Sequence, residues 1–451
     1  MEKKNTGVDL LNGPVLKSLV LFTLPFLGSL AFQLLYNMVD TVIVGHFMGD
    51  TSLAAIGVCS PVYELLIGFG IGVGNGFSLV TARFFGMKDD ERLRKSVASA
   101  LVLGLALSLL ITAGAQLFLR RLLLLLGTPQ EILEEAYSYI STVTMFTVVL
   151  FAYNLFAGMM RAIGNSFMPF IFLVISSLMN VVLDFLLVVG LGMGIRGAAL
   201  ATVLSQGMSA VLSLFYMVRR CGILIPEKEH FKPSLSLYLE LLEQGLSMGL
   251  MSSIVAIGTV ILQSGINSLG VLVIAAHTSA RKLFSLGVMP FSAFGMAAGP
   301  FASQNMGADH PERVRRGLRD MILCSLVLNT MITLLNWLLA PQAIWLLSGS
   351  SEAEVISSGA LYLRLNAPFY ILVSCIVGAR NMLQGLGQKV RTLVSSCIEL
   401  LGKVLFVWLL VPRFGYMAVI FCEPVIWFFM AVYLLYSFYH DPFVVSGKAA
   451  A

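Results

Sequence analysis

The sequence predicts an all-α polytopic membrane protein, with twelve transmembrane helices in two six-helix lobes related by pseudo-two-fold symmetry. Three observations carry this expectation. The 451 residues are 58% hydrophobic and only 12% charged, with a mean hydropathy of +0.88, whereas a soluble domain carries roughly 25% charged residues. Apolar runs of about 20 residues, long enough to cross a bilayer, recur along the whole chain. The chain also repeats itself: Gly86, Glu91, Arg92, Arg94 and Lys95 reappear as Gly307, Glu312, Arg313, Arg315 and Arg316, a shift of 307 − 86 = 221.

Taken in order, the runs begin near Val15, Ser52, Ser96, Ser138, Phe167 and Ile195, and then near Glu240, Val271, Leu318, Gly359, Val390 and Tyr416. Pro25, Pro61, Pro290, Pro368 and Pro424 fall inside these runs, where each removes a backbone hydrogen bond and permits a kink. The same shift maps Gly49 onto Gly270, Gly28 onto Gly249, and Ala54-Ala55 onto Ala275-Ala276. Each half therefore runs in the same direction, a parallel repeat about an axis along the membrane normal. The expected organisation is a first lobe over 1–218, a polar connection over 219–239 and a second lobe over 240–451, the two lobes flanking a cleft.

Orientation follows from the loops. One side collects Lys3, Lys4, Lys17, Lys88, Arg92, Arg94, Lys95, Arg161, Arg219, Arg220, Lys228, Lys232, Arg313, Arg315, Arg316, Arg319, Lys389 and Arg391. The other offers only Arg120, Arg121, Arg196, Arg364 and Arg413. The positive-inside rule then puts both termini in the cytoplasm of a multi-pass cell-membrane protein. Met1 to Pro14 is read as a short polar lead without a cleavage site.

Composition also excludes function classes. The net charge of +5 resides in short loops rather than on one soluble face, which gives no reason to expect a nucleic-acid partner. The six cysteines show neither metal spacing nor a disulfide framework and are read as small packing residues. There is no HExxH, no P-loop and no nucleophile elbow, so neither an enzyme nor direct ATP hydrolysis is expected, and no cofactor is implied. The expected partners are small organic molecules and membrane lipids, around a monomer.

Chemistry is sought where the repeat breaks, because structural residues should recur in both halves. Asp40, in the first run among Met38, Val39, Val42 and Ile43, maps onto Ile261. Near Gly164, which matches Gly387, the shift is 223, and there Asn180 and Asp184 map onto Lys403 and Val407. An acid inside a membrane helix is costly and marks a functional site by default. Asp40 is expected about one turn from the outer end of helix 1. Asn180 and Asp184, four apart, share a face of helix 5; Thr202 on helix 6 and Tyr139 on helix 4 fall at a similar depth. Two carboxyls, an amide oxygen and a hydroxyl form an all-oxygen set suited to Na⁺ or to a stored proton. The plainer reading is that each acid hydrogen-bonds a neighbouring helix as polar glue.

The twelve runs in two repeats, the pattern Gln33-x-x-Tyr36-Asn37-x-x-Asp40, the Gly45 to Ala55 turn and Asn180-x-x-x-Asp184 together resemble the multidrug and toxic compound extrusion family, over essentially the whole chain. The branch most resembled holds its coupling site in the N-terminal lobe. That resemblance implies a cation or proton site at Asp40, Asn180, Asp184 and Thr202 with Tyr139 as neighbour, and a drug cavity involving Gln33, Tyr36, Asn37 and Asn154. Another branch carries a glutamate on helix 7 and an aspartate on helix 10; Val255 and Val373 stand near those places here, so that second-lobe site is not expected.

The remaining intramembrane charges are Glu64, Arg281, Lys282, Arg380, Glu399, Lys403 and Glu423. Glu399 and Lys403, four apart, are expected to form a structural ion pair. Arg281 and Lys282 are candidates for substrate contact in the second lobe, or for pairing with Glu64 or Glu423 across the cleft. The expected function is secondary active export of amphipathic organic compounds by Na⁺ or H⁺ antiport. The alternative is a flippase or exporter of a lipid-linked or anionic metabolite.

Overall fold

In hydrocarbon no water is available to a free N–H or C=O, so an apolar run must satisfy its backbone internally and becomes a helix. The computed structural model describes residues 7–350 and 352–447; Lys3 and Lys4, counted above among the basic residues, lie outside them. Among the described residues eleven helices are long and apolar enough to span a membrane, and twelve when one bent pair counts as a single span. The first half comprises α1 (Val15–Met48), α2 (Asp50–Gly86), α3 (Asp90–Leu125), α4 (Gln130–Met145), α5 (Thr147–Ala162), α6 (Phe167–Asp184) and α7 (Gly194–Arg220). The second comprises α8 (Leu235–Asn267), α9 (Val271–Gly307), α10 (Pro311–Ser348), α11 (Ala353–Asn366), α12 (Tyr370–Gly385), α13 (Lys389–Leu405), α14 (Val411–Phe414), α15 (Tyr416–Tyr439) and a short α16 (Pro442–Ser446).

The irregularities recur with the repeat. The fourth span is α4 and α5, bent by 50° at Phe146. Its counterpart breaks between α11 and α12 over Ala367–Phe369, where Pro368 supplies no N–H. α6 loosens into a π-helix over Phe185–Gly190, and α13 does the same over Phe406–Leu410. The turns after the first span of each half rest on Gly49 at φ 85° and Gly270 at φ 97°, a region glycine enters without a Cβ penalty.

The chain divides into two units. One takes Leu24–Ser253 with the N-terminal stretch ending at Leu11; the other takes Asn12–Thr23 with the chain from Ile254 onward. α1 and α8 thus each contribute their two ends to different units. In the first unit Phe77, Leu93, Val97, Phe151, Leu155 and Met159 form one buried cluster. α8 approaches α2 very closely there: a Cβ built on Gly76 would sit 2.6 Å from the Gly245 Cα, and one on Gly72 2.8 Å from the Met248 carbonyl oxygen. Lipid tails are as apolar as leucine, so such small-residue crossings hold membrane helices together by van der Waals contact. The polar connection is tied to α3 by Arg94–Glu227 at 2.8 Å, and the start of α8 to α2 by an Arg83–Glu240 ion pair. In the second unit the rings of Phe284, Tyr370 and Trp427 pack within 5.2 to 6.4 Å of one another.

Candidate functional site

The candidate site lies in the first unit and follows from where three helices touch. Val44 of α1, Val188 of the π-helix after α6 and Ala198 of α7 form a buried cluster with Met48, Leu53 and Ile56. The Phe47 and Phe185 rings meet edge to face at 5.9 Å beside it. Four residues from each of these contacts, on the same helical face, stand Asp40, Asp184 and Thr202. Packing the apolar ends of the three helices therefore brings their polar residues to one level. Asp40 lies 48 − 40 = 8 residues before the end of α1, about two turns rather than the one turn expected.

The Asp40 and Asp184 carboxyls meet within hydrogen-bonding reach. Asp184 is fully buried and Asn180, one turn along α6, is 2% exposed. No donor among the described residues reaches Oδ1 of Asp40 or either oxygen of Asp184, and neither polar atom of the Asn180 amide is paired. Two facing carboxylates offer only acceptors, so a hydrogen bond between them requires a proton on one. Buried polar groups are otherwise almost always satisfied, and orphaned acid oxygens with an orphaned amide one turn away form a cradle for a cation or a proton. Among the described residues no three His, Cys, Asp or Glu side chains come together, so the donor set is two acids with neutral oxygens.

The other residues singled out from sequence are placed as follows. The Thr202 hydroxyl donates to the Ala198 carbonyl at 3.2 Å, a back-bond within its own helix. Tyr139 lies within electrostatic range of Asp40, and Tyr36 within range of Asp40 and Asp184. Gln33, Tyr36, Asn37 and Asp40 follow one another at i, i+3, i+4 and i+7 on one stripe of α1; Gln33 and Asn37 are exposed, Tyr36 and Asp40 half-buried. Asn154 is half-buried, with its amide donating to the Leu150 carbonyl at 2.9 Å. Two neighbours were not read from the sequence. Tyr63 lies within range of Tyr36 and Tyr139, and Tyr153 within range of Tyr36. A single tyrosine in an apolar run carries no periodic signal, so only packing could reveal these.

The second unit has its own buried charges. Arg281 pairs with Glu423 at 2.6 Å, so the expected partnership forms inside this unit; the Tyr362 hydroxyl donates to the same carboxylate at 3.3 Å. The Arg281 guanidinium also lies 4.4 Å over the Phe284 ring. Lys282 is exposed. Glu399 and Lys403 form the expected pair at 2.9 Å, extended by Arg380 at 3.7 Å, and the Arg380 Nε donates to the Ser395 hydroxyl at 3.0 Å.

The MatE family profile matches residues 25–186 and again 248–409, so the two matched segments are 248 − 25 = 223 residues apart. The chain is 30% identical over 391 residues to the "Probable multidrug resistance protein YpnP" of Bacillus subtilis (strain 168), covering 87% of each. It is 21% identical over 399 residues to the "Multidrug export protein MepA" of Staphylococcus saprophyticus, again covering 87% of each. Its fold matches an outward-facing multidrug resistance MATE family transporter of the MOP superfamily at a TM-score of 0.90 and 26% identity, over 96% of this chain and 98% of that one. A MOP superfamily transporter from Pyrococcus furiosus, described as having a reversed polarity of its binding pocket, matches at 0.89 and 25% identity, over 97% and 99%. A helical membrane chain with the family profile in both halves belongs to the MatE family, the multidrug and toxic compound extrusion transporters.

Proposed function

We propose that this protein is a secondary active exporter that takes Na⁺ or H⁺ at Asp40 and Asp184 and moves amphipathic organic compounds outward by alternating access of its two halves. The observation that carries the reading is the meeting of those two carboxyls inside membrane-spanning helices, with Oδ1 of Asp40 and both oxygens of Asp184 unpartnered by donors. Two like charges in contact in low dielectric repel strongly, and a proton or a sodium ion removes the repulsion. Asn180 supplies a further oxygen at the same site, Thr202 stands beside it at the end of the shared contact, and Tyr139 borders it. Gln33, Tyr36, Asn37 and Asn154 are assigned to cargo contact. The relatives above are named for multidrug resistance and multidrug export, which supports this substrate class. The protein acts as a monomer in the cell membrane with both termini cytoplasmic, without a cofactor and without chemical conversion of its cargo.

Alternating access in this reading follows ion binding from outside: neutralising the two acids lets α1 bend near Pro25 and reshapes the first-half cavity. Efflux of a fluorescent cationic drug from proteoliposomes, under an imposed Na⁺ gradient and separately under a pH gradient, tests the proposal. Drug efflux driven by one gradient in wild type and abolished by Asp184→Asn supports it. Efflux that persists unchanged in that variant defeats it.

A second reading rests on a specific observation: within the spans of the second unit Arg281 pairs with Glu423 while Arg380 and Lys403 share Glu399, three cations on two acids, and Lys282 adds an exposed cation. An anionic or lipid-linked metabolite would suit that balance. Loss of transport in Arg281→Ala and Lys282→Ala for an anionic cargo alone would favour it.

A further inference from the structure

The start of α1 and the first five turns of α10 enclose a groove of about 580 Å³, lined by residues 13–16 on one wall and by Arg313, Arg316, Asp320, Leu323, Cys324 and Val327 on the other. The α10 residues follow the spacings 3, 7, 10, 11 and 14 from Arg313, so they form one face of the helix. That face changes character along its length. It begins with two arginines and Asp320 and ends, about 20 Å further at 1.5 Å per residue, with Leu323, Cys324 and Val327. The apolar end is open: Leu323 is 54% and Val327 63% exposed, with Leu16 at 41% across from them. Gly13 has no side chain to fill the space between the walls.

We propose that this groove is a binding site for an anionic phospholipid, with the phosphate at Arg316 and an acyl chain lying along Leu16, Leu323 and Val327. Charge complementarity selects the occupant. Arg316 and Arg319 both reach towards Asp320, at 3.7 and 3.3 Å, yet their side chains stay 65% and 62% exposed while that of Asp320 is 13% exposed. The acid thus engages two guanidinium groups, Arg316 in the groove wall and Arg319 beside it, without consuming their fork of donors, which matches phosphate oxygens bidentately. Two lining arginines, Arg313 and Arg316, against one acid leave the mouth net positive and favour a net-negative headgroup over a zwitterionic one. The mouth stands among the basic residues that mark the cytoplasmic side, where anionic lipids concentrate cations. A free phosphate would satisfy the arginines but not the exposed leucine and valine below them. A lipid satisfies both ends of the gradient.

The proposal is tested on the purified wild-type protein with photoactivatable phosphatidylglycerol and phosphatidylcholine, followed by peptide mapping and by native mass spectrometry of retained lipid. Labelling of peptides that include residues 13–16 or 313–327 by phosphatidylglycerol is expected, with a preference over phosphatidylcholine of about fivefold for each arginine engaged. In Arg316→Gln/Arg319→Gln the preference falls towards unity, whereas Arg120→Gln, at the opposite end of the spans, keeps it. Val327→Trp, which fills the apolar end and leaves the charges intact, reduces retention of both lipids. Labelling confined to other helices, equal retention of the two lipids by wild type, or displacement of the lipid by inorganic phosphate would each overturn the assignment.

Discussion

Asp184→Asn is the sharpest perturbation because it changes one charge and almost no volume. Asp184 is fully buried and its carboxyl meets that of Asp40. A cation held about 4 Å from a carboxylate gains roughly 4 kcal/mol from it at an effective dielectric constant of 20, so removing one of the two acids should weaken ion binding by about a thousandfold. The substitution should not harm the fold. An asparagine amide can donate to Asp40, where two carboxylates had only acceptors, so the variant should melt at or above the wild-type temperature in detergent. The assay is gradient-driven efflux from proteoliposomes, paired with that melting curve. Loss of coupled efflux with an intact or raised melting temperature is the expected pattern. Undiminished coupled efflux would refute the coupling role, and loss of efflux together with a large fall in melting temperature would refute the claim that the acid pair is a functional rather than a structural feature.

Three other outcomes follow from single contacts. Glu423→Ala leaves Arg281 without its acid and should cost about 3 to 5 kcal/mol, read as a lowered melting temperature that Arg281→Met in the same chain partly restores. Gly76→Ala puts a methyl 2.6 Å from the Gly245 Cα and should destabilise the α2–α8 crossing by about 1 to 3 kcal/mol, whereas Gly57→Ala, with nothing within 4 Å, should be silent. Outside the membrane, burial holds the Asp441 carboxyl above its usual range, despite Arg391 at 3.6 Å and N–H donors from Phe443 and Val444. A raised acid favours the protonated folded form, so its contribution is complete below about pH 4 and declines as pH rises through the shifted value. Amide exchange in Phe443 to Ser446 should therefore speed up with pH beyond the intrinsic rate increase, and Asp441→Asn should remove that excess.

Much of the architecture was legible in order. A membrane helix must satisfy its backbone within one segment, so each run declared its own span, and the starts near Val15, Phe167, Ile195, Val271, Val390 and Tyr416 fall within two residues of observed helix starts. The repeat was legible because its markers are backbone devices: Gly49 and Gly270 must occupy positive φ whatever surrounds them. Asp40 and Asp184 stood out because an unpaired acid in an apolar run has few structural uses, and the loss of both in the second half separated them from the scaffold.

What the sequence left undecided was everything that depends on which faces meet. Its depth estimate for Asp40 was a turn short, because a helix's end is set by capping and packing rather than by where its apolar run weakens. The loosened turns after Asp184 and Leu405 have no residue signature, since Phe-Leu-Leu-Val-Val reads as ordinary helix. Nor could spacing along the chain say that Thr202 bonds its own helix, or that Arg281 finds Glu423 142 residues away. Periodicity determines that a segment is helical and which residues share its face. Side-chain packing between helices decides which face is turned to which neighbour, and so only the tertiary structure sets Asp40 against Asp184.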